Sequence, residues 1–201
     1  MTLLSQNFLY RILTRRRSYR IARAVAPFVP AQAYLLDFGC GNGYTAEYLI
    51  TLTGCRIKGV DLIRDVNLDE RRASLLGFIQ YPGGPLPFEA GSFDGVLASA
   101  VMHHTSDPLF YLDEFIRVLK PGGRILMVEE MYKTQVGKFL LMVHDYLLNK
   151  LKKGVPVPLN FYSLSKYLHS FGERKLQIEH HSGLRPAFPY VRHELFVLRK
   201  S

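Results

Sequence analysis

Residues 34–43 read Tyr-Leu-Leu-Asp-Phe-Gly-Cys-Gly-Asn-Gly, a short apolar run that ends in three alternating glycines. Apolar residues then recur at helical intervals over residues 44–52, so the stretch predicts a strand, a loop and a helix in succession. Glycines let the loop turn sharply and approach a ligand closely, while the N-terminus of the helix presents unbonded N–H groups. This arrangement predicts a binding site for a nucleotide-like cofactor.

An acidic residue, Asp61, follows the next predicted strand at residues 56–60 and lies eighteen positions beyond Gly43. A carboxylate at the end of a second strand can accept hydrogen bonds from both hydroxyls of a ribose. The glycines form G-x-G-x-G rather than the G-x-G-x-x-G of dinucleotide sites, and no G-x-x-x-x-G-K-[ST] occurs. These patterns disfavour a NAD-dependent dehydrogenase and a P-loop nucleotide hydrolase.

Strands and helices alternate through most of the chain, after a leading helix predicted within an N-terminal helical arm at residues 1–30. Strands are predicted at residues 34–38, 56–60, 77–81, 93–99 and 123–129, and helices at residues 3–27, 44–52, 67–75 and 108–119. Such alternation pairs strands in parallel through right-handed crossovers.

The remaining segment predicts helices at residues 136–151 and 163–171, then strands at residues 175–182 and 192–199. The loop between the last two strands is too short for a crossover helix, so this pair is expected to be antiparallel. We therefore expect an α/β, doubly wound, Rossmann-like, seven-stranded and mostly parallel sheet with an antiparallel last strand. The length suits a single domain over residues 1–201.

Four motifs follow one another in a characteristic order, and together they cover residues 33–131 closely. They are Leu-Leu-Asp-Phe-Gly-Cys-Gly-Asn-Gly at 35–43, Gly-Val-Asp-Leu at 59–62, Leu-Pro-Phe at 86–88 with Ser-Phe-Asp at 92–94, and Leu-Lys-Pro-Gly-Gly at 119–123. On these motifs the sequence resembles the class I S-adenosylmethionine (SAM)-dependent methyltransferases, in particular the small-molecule branch called type 11.

The resemblance implies that the cofactor is SAM and that the product is S-adenosyl-L-homocysteine. In the family pattern Asp37 and the glycine loop hold the methionine part, Asp61 holds the ribose, Leu62 lies beside the adenine, and Ser99 and Ala100 line the methyl-transfer side. The full set of predicted cofactor-binding residues is Asp37, Gly39, Cys40, Gly41, Gly43, Asp61, Leu62, Gly83, Gly84, Ser99 and Ala100.

One feature departs from the family pattern, which usually places an acidic residue after the third strand to bind the adenine amino group. Here residues 81–85 read Tyr-Pro-Gly-Gly-Pro, without a carboxylate. We expect either that a backbone carbonyl near Gly83 or Gly84 accepts that hydrogen bond instead, at a cost of ~1 kcal/mol in affinity, or that the loop is remodelled.

Two adjacent histidines, His103 and His104, follow the fourth strand, where open α/β sheets place their ligands. Methyl transfer needs alignment of donor and acceptor more than it needs a base, but a hydroxyl acceptor benefits from one. Either histidine is a candidate catalytic base. The alternative is that one caps the following helix while the other fills the wall of the site. A metal site is not expected, because adjacent histidines point apart and no other ligand has suitable spacing.

The amphipathic helix predicted at residues 136–151 has an apolar face wider than simple core packing requires. In the resembled family this region often covers the acceptor, so residues 132–162 are interpreted as a lid-like helical insertion, with core packing as the alternative. A lid of this kind favours a small, partly apolar acceptor.

The net charge is +9 and the isoelectric point is near 9.6, with cations concentrated at residues 11–23, 150–153 and 199–200. This basic surface either keeps the protein in solution or attracts an anionic membrane surface, acceptor or nucleic acid. Two cysteines and the lack of an apolar stretch near ~20 residues favour a cytoplasmic protein with at most peripheral membrane contact.

The main hypothesis is thus a SAM-dependent enzyme that methylates a small molecule, as a monomer or a homodimer. A nucleic-acid substrate is possible but not favoured, because residues 99–102 read Ser-Ala-Val-Met instead of the Asn/Asp-Pro-Pro-aromatic motif of amino-directed enzymes. The alternatives are an RNA or protein methyltransferase and a non-catalytic module that binds SAM or a partner.

Overall fold

The computed structural model describes residues 8–132, 134–150, 160–184 and 192–200 of the chain. Its seven strands belong to one mixed sheet that combines parallel and antiparallel pairs, which confirms the predicted α/β, Rossmann-like class. Residues 1–84 and 85–201 form two compact units. The assignment of residues 1–201 to a single domain stays a prediction.

The first unit contains three helices and three parallel strands. In chain order these are α1 (Phe8–Val25), β1 (Tyr34–Phe38), α2 (Tyr44–Thr53), β2 (Arg56–Asp61), α3 (Glu70–Leu75) and β3 (Ile79–Gln80). Strand β2 lies between β1 and β3, and both pairs are parallel. The carboxyl ends of β1 and β2 therefore lie side by side, which places Asp37 and Asp61 at the same edge of the sheet.

Helix α1 is the described part of the predicted arm, and residues 1–7 lie outside the described residues. It packs against α2, since the rings of Tyr19 and Tyr48 meet edge to face with centroids 5.3 Å apart. The Arg15 side chain donates a hydrogen bond of 3.3 Å to the Tyr48 hydroxyl. Helix α1 therefore packs as part of the first unit.

Two elements of this unit are shorter than predicted. Helix α3 begins at residue 70 rather than 67 because the Asp69 carboxylate caps it, accepting the Arg72 N–H at 2.8 Å. Ahead of it, Asp65 accepts the Asn67 N–H at 2.7 Å in a local turn. Strand β3 spans two residues rather than five, because Gly77 adopts a left-handed turn immediately before it.

The second unit contains the other four strands and three helices. They are β4 (Phe93–Ser99), α4 (Pro108–Val118), β5 (Leu119–Met131), α5 (Gln135–Lys150), α6 (Leu164–Glu173), β6 (Gln177–Leu184) and β7 (Arg192–Arg199). Strand β4 pairs with β5 in parallel, whereas β7 pairs with both β5 and β6 in antiparallel fashion. The predicted antiparallel pair at the end of the chain is confirmed.

Strand β5 starts four residues earlier than predicted, because the Lys-Pro-Gly-Gly sequence bulges within the strand and does not end it. The pairing with β4 jumps from Leu119 to Arg124 across this bulge. A Cβ atom on Gly123 would lie 3.0 Å from the Lys120 carbonyl oxygen and 3.1 Å from that of Asp94. The Lys120 ammonium also binds the Asp94 carboxylate at 2.7 Å. The bulge thus fastens two of the family motifs together.

Arg117 binds the Leu-Pro-Phe part of the third motif, in the same unit. Its guanidinium donates to the carbonyls of Phe88 at 2.7 Å and Leu86 at 3.0 Å, and it pairs with Glu114 at 2.7 Å. Glu114 in turn accepts the Leu86 N–H at 2.6 Å. The Leu-Pro-Phe motif is therefore a structural anchor.

Helix α5 falls within one residue of its predicted bounds, and residues 151–159 of the predicted insertion lie outside the described residues. Leu141 is its fully buried anchor and packs with Phe161, with Tyr132 and Met142 partly buried against them. None of the helices in the described part of the chain has the length and apolarity to cross a membrane.

Candidate active site

The loop after β1 is held against the end of β2 by its backbone. The N–H groups of Gly39 and Cys40 both donate to the Val60 carbonyl, at 2.9 and 3.1 Å. Gly43 has a φ of 73° at the start of α2, and a Cβ atom there would lie 3.0 Å from Cδ1 of Leu68. Only glycine fits this conformation and this gap without adjustment.

Asp61 joins this loop directly. Its Oδ2 accepts the Gly41 N–H at 2.8 Å, and its Oδ1 lies 3.4 Å from the Ile63 nitrogen. Burial raises the pKa of Asp61, while the N–H groups of Gly41, Ile63 and Leu62 oppose that rise. The structure thus brings together the loop and the acid that the sequence singled out. The next side chain, Leu62, is 38% exposed and offers an apolar surface beside the carboxylate.

Asp37 lies at the end of β1 with only 3% of its surface exposed. Burial, together with the nearby negative charge of Asp61, raises the pKa of Asp37 to about 7. A buried carboxylate that is costly to ionise favours a cationic ligand, and the ammonium of an amino acid has the right charge. Cys40 is buried next to it, and burial raises the pKa of its thiol, so it is an unreactive wall residue.

The segment after β3 contains the two predicted carbonyl acceptors. Gly83 and Gly84 have φ angles of 98° and 88°. The Tyr81 hydroxyl donates a hydrogen bond to the Gly84 carbonyl, and the Tyr81 N–H donates to the Asp61 carbonyl at 2.8 Å. Of the two predicted acceptors, Gly84 therefore already has a donor, which favours the Gly83 carbonyl for a further one.

In the second unit, β4 ends at Ser99 and the chain turns sharply at Ala100. Both residues are partly exposed, and Ala100 has a φ of 51°, which is uncommon for a residue other than glycine. Its N–H donates to the Val128 carbonyl at 2.7 Å, which fixes the turn against β5. Such strain is often concentrated at functional sites.

His103 follows in the same turn, within the short 3₁₀ helix Met102–His104, and it is only 2% exposed. Its Nδ1 is hydrogen-bonded to Oε1 of Glu129, at the end of β5. The Glu129 carboxylate also accepts the Met102 N–H at 2.9 Å and the Glu130 N–H at 2.8 Å. Oε1 of Glu129 thus faces Nδ1 of the imidazole, and Nε2 is the other ring nitrogen of His103.

The residues after α5 hold this turn in place. The Phe161 ring stacks on His103 with centroids 4.5 Å apart and planes inclined by 16°. The Asn160 N–H donates to the His103 carbonyl at 3.0 Å, and its side-chain amide donates to the carbonyls of Thr105 and Ser106 at 2.8 and 3.0 Å. The imidazole is thereby fixed on one face by an aromatic ring and at one nitrogen by a carboxylate.

His104 is partly buried, with its ring centroid 4.2 Å from that of His103. The idea that one of the two histidines caps the next helix is wrong. Asp107 is the cap of α4, because its Oδ1 accepts the N–H groups of Leu109 at 2.9 Å and Phe110 at 3.1 Å. An aspartate directly before Pro108 was the sequence signal for this cap.

Sequence reasoning missed Glu129, Asn160 and Phe161. Glu129 carried one usable signal, since two glutamates interrupt an otherwise apolar strand at residues 125–131. Asn160 and Phe161 had no recognisable sequence signal, because they contact a turn more than fifty residues away in the chain. The described residues contain no cluster of three or more His, Cys, Asp or Glu side chains able to hold a metal ion.

Comparison with known proteins identifies the family. The profile of a family described as "Methyltransferase domain" matches residues 36–127. The chain is 30% identical over 175 residues to a ubiquinone biosynthesis O-methyltransferase of Xanthomonas axonopodis pv. citri, which covers 82% of this chain and 71% of that protein. It is 36% identical over 118 residues to a demethylmenaquinone methyltransferase of Clavibacter sepedonicus, which covers 55% of this chain and 46% of that protein.

A solved structure shares the fold at low sequence identity. It is the geranyl diphosphate C-methyltransferase of Streptomyces coelicolor A3(2), in complex with Mg²⁺, geranyl-S-thiolodiphosphate and S-adenosyl-L-homocysteine. The TM-score is 0.68 at 18% identity, over 89% of this chain and 76% of that one.

The Rossmann-like sheet, the G-x-G-x-G loop and the acid at the end of β2 define a nucleoside-cofactor enzyme of the methyltransferase class. The chain belongs to the class I SAM-dependent methyltransferases. It is an enzyme, its cofactor is SAM, and its methyl acceptor is a small molecule. The predicted family, cofactor and class of activity are confirmed, while the roles of the individual site residues stay predictions.

Proposed function

We propose that this enzyme methylates a hydroxyl group on a small, apolar aromatic molecule of the quinone-precursor type, with His103 as the general base. The observation that carries the proposal is the buried pair of His103 and Glu129 beneath the Phe161 ring. The names of the ubiquinone and demethylmenaquinone relatives support the acceptor class.

The geometry suits His103 to proton removal. Glu129 accepts two backbone N–H groups, and its contact with Nδ1 of His103 orients the ring. An imidazole held in this way presents Nε2 as its basic nitrogen and has its cationic form stabilised by the carboxylate. In the reaction, the acceptor hydroxyl would give its proton to Nε2 as its oxygen bonds to the methyl carbon, and the electrons of the broken carbon–sulfur bond remain on sulfur.

The surroundings of His103 support an apolar acceptor. Phe161 covers one face of the imidazole and packs on Leu141 of α5, with Tyr132 and Met142 close by. Apolar walls exclude water from the reacting groups and strengthen the electrostatic effect of the base. On this proposal, residues 132–162 cover the acceptor, and His104 lines the wall beside His103.

The residues of the first unit that would bind the cofactor have separate roles. SAM supplies an electrophilic methyl group when it is bound. Asp37 would pair with its ammonium group, Asp61 would accept hydrogen bonds from the ribose hydroxyls, and Leu62 would lie against the adenine. The N–H groups of the glycine loop and the Gly83 carbonyl would provide the remaining polar contacts.

The cofactor assignments are tested first, by calorimetric titration with S-adenosyl-L-homocysteine. Asp61→Ala removes both the ribose acceptor and the partner of the Gly41 N–H, and we expect it to weaken binding at least about tenfold. Asp113→Ala is the control, because Asp113 is an exposed carboxylate paired with Arg174. Equal binding by wild type and Asp61→Ala would contradict the assignment.

The acceptor is tested by transfer of labelled methyl from SAM to hydroxylated aromatic compounds, with and without isoprenoid tails. We expect His103→Gln to lower kcat by about 10²–10⁴-fold and to leave the affinity for S-adenosyl-L-homocysteine unchanged. His169→Gln is the control, because that histidine is 76% exposed on α6. The proposal fails if the tailed compounds are no better than the bare rings, or if both histidine variants lose activity equally.

A further inference from the structure

Two buried glutamates lie side by side on neighbouring strands of the second unit. Glu129 on β5 is directly opposite Glu194 on β7, and each is only 1% exposed. Residues opposite each other in an antiparallel pair point to the same face of the sheet, with Cβ atoms about 4.5–5.5 Å apart. Glu129 contacts Nδ1 of His103, and Glu194 contacts Nε2 of His181 on β6 at 3.1 Å. The glutamate pair, Glu129 and Glu194, therefore connects two imidazoles from different parts of the chain.

Helix α6 covers this face of the sheet, with Tyr167 at the level of the glutamate pair. The bridge between Tyr132 and Ser163 places the start of α6 at the carboxyl end of β5. Further along the helix, the Phe171 ring lies against the Phe196 ring of β7, with centroids 5.4 Å apart. Phe196 is two residues beyond the glutamate of β7, and two residues of strand span about the same length as one turn of helix. Tyr167, one turn before Phe171, therefore lies over the glutamate pair.

The hydroxyl of Tyr167 is buried, and it has no hydrogen-bond partner among the described residues. Burial raises the pKa of this phenol, and the charge of the nearby Glu129 adds to that rise. The rings of Tyr162 and Phe171 lie 5.4 and 5.8 Å from that of Tyr167, so packing fixes its position. A buried hydroxyl without a partner is costly, and folded proteins commonly satisfy such a group with an internal water molecule.

We propose that one internal water molecule lies between Tyr167 and the glutamate pair. It accepts the O–H of Tyr167 and donates one hydrogen bond to each carboxyl group. Three hydrogen bonds are the usual number for a buried water, and this one relieves the unfavourable placement of two acidic side chains opposite each other in a sheet. Tyr167 is thereby a positioning residue, which acts through the water on Glu129 and through Glu129 on His103. This role in catalysis rests on the proposed function, in which His103 is the base, whereas the water site itself does not.

The sign of a stability change tests the water site. Tyr167→Phe removes only the hydroxyl oxygen and keeps the ring. If the water is present, the variant loses a satisfied hydrogen bond, and its Tm should fall by about 2–4 °C. A hydroxyl that is simply unsatisfied predicts an unchanged or higher Tm, and that result would overturn the proposal. Tyr19→Phe is the control with unchanged Tm, because Tyr19 lies in the first unit and is 42% exposed.

A crystal structure of the full chain tests the same site directly. We expect density for one water within about 3.2 Å of the Tyr167 hydroxyl oxygen and of a carboxyl oxygen of Glu129. A direct hydrogen bond between these two side chains, or a site without density, would show that no water mediates the contact.

Histidine-selective ¹⁵N NMR of the full chain tests the positioning role without an acceptor. Loss of the water's anchor in Tyr167→Phe leaves each carboxyl group freer to stabilise its imidazolium. The pH midpoints of His103 and His181 should therefore both move upward, by about 0.5–1 pH unit. His169 is the reference in the same spectrum, because it is 76% exposed on α6 and should not move. The signals are assigned with single His→Gln variants.

The two proposals fail in different ways. If both midpoints stay where they are in Tyr167→Phe, the positioning role is wrong, whatever the enzyme methylates. If both midpoints move but no hydroxylated aromatic compound is methylated, the water site stands and the proposed function fails.

Discussion

Asp37 and Asp61 lie at the carboxyl ends of two adjacent parallel strands, and the charge of Asp61 adds to burial in raising the pKa of Asp37 to about 7. The first unit thus keeps two acidic side chains close together, and no described hydrogen bond joins them to a cationic side chain. A ligand that brings an ammonium group to Asp37 would relieve this unfavourable arrangement.

Binding of S-adenosyl-L-homocysteine should therefore depend on pH. An ammonium partner stabilises the ionised form of Asp37 and lowers its pKa, so binding releases a proton when the free carboxyl is protonated. We expect affinity to fall about tenfold per pH unit below about pH 7, and to level off above it. Calorimetry in buffers of different ionisation enthalpy measures both effects. An affinity that does not change between about pH 5 and pH 8 would contradict the role of Asp37.

Replacement of Asp37 by asparagine should stabilise the fold at the expense of binding. The carboxyl pKa is higher in the folded state than its ordinary value of 3.8, so its contribution to the free energy of unfolding is present at low pH and is lost as pH rises through 7. Asp37→Asn removes that loss, with an expected gain of about 1–2 kcal/mol, or about 3–6 °C in Tm, near pH 8.

Thermal unfolding of Asp37→Asn at two pH values distinguishes this effect from a general change in packing. Near about pH 4 the wild-type carboxyl is protonated, so the two proteins should unfold at similar temperatures. The variant should also bind S-adenosyl-L-homocysteine far more weakly near about pH 8, with a difference that narrows as the wild-type carboxyl becomes protonated. Destabilisation of Asp37→Asn near about pH 8 would show that burial does not disfavour the charge.

Gly43→Ala should destabilise the first unit. A residue with a Cβ atom at a φ of 73° is strained, and that atom would lie 3.0 Å from Leu68. We expect a loss of about 1–2 kcal/mol in the free energy of unfolding, measured by urea denaturation. Gly172→Ala in α6 is the control, because a Cβ atom there meets nothing within 4 Å and alanine favours a helix. Equal losses in the two variants would refute the explanation.

Glu129→Gln tests the positioning of His103. The amide cannot accept from all three donors and does not stabilise a cationic imidazole, so we expect kcat to fall more than about tenfold with little change in KM. The acidic limb of the pH–rate profile should move to lower pH, which a purely structural defect would not cause. Glu130→Gln is the control, because its carboxylate pairs at 2.8 Å with another imidazole, that of His193. A profile of unchanged shape would assign Glu129 a structural role only.

Much of the fold was predictable because its signals are local. Apolar runs and glycine turns determined the strands of both units, and the short loop before β7 was enough to predict an antiparallel pair. The errors occurred where a helix cap or a local backbone turn interrupts the pattern. Asp69 delays the start of α3, and the Lys-Pro-Gly-Gly bulge lies inside β5 rather than ahead of it.

The candidate site was predictable where the contacts lie at the ends of neighbouring elements. Asp61 and Gly41 are joined by the β1–α2–β2 unit itself, so their proximity follows from the order of the strands. The partner of His103 was not predictable in the same way. Glu129 lies on the neighbouring strand β5, and Phe161 follows a different helix, so their contacts depend on packing that no short-range pattern contains.

The turn that carries His103 is fastened from outside its own strand and helix, by the hydrogen bonds of Asn160 and the ring of Phe161. These two residues link the turn that carries His103 to the part of the chain just before α6. Exchange of residues 135–150 for another helix would leave the hydrogen bonds of Asn160 and Glu129 in place, but it would remove the Leu141 side chain that packs on Phe161. Under the proposed function, helix α5 therefore supports the base through Phe161 as well as forming a wall beside the acceptor.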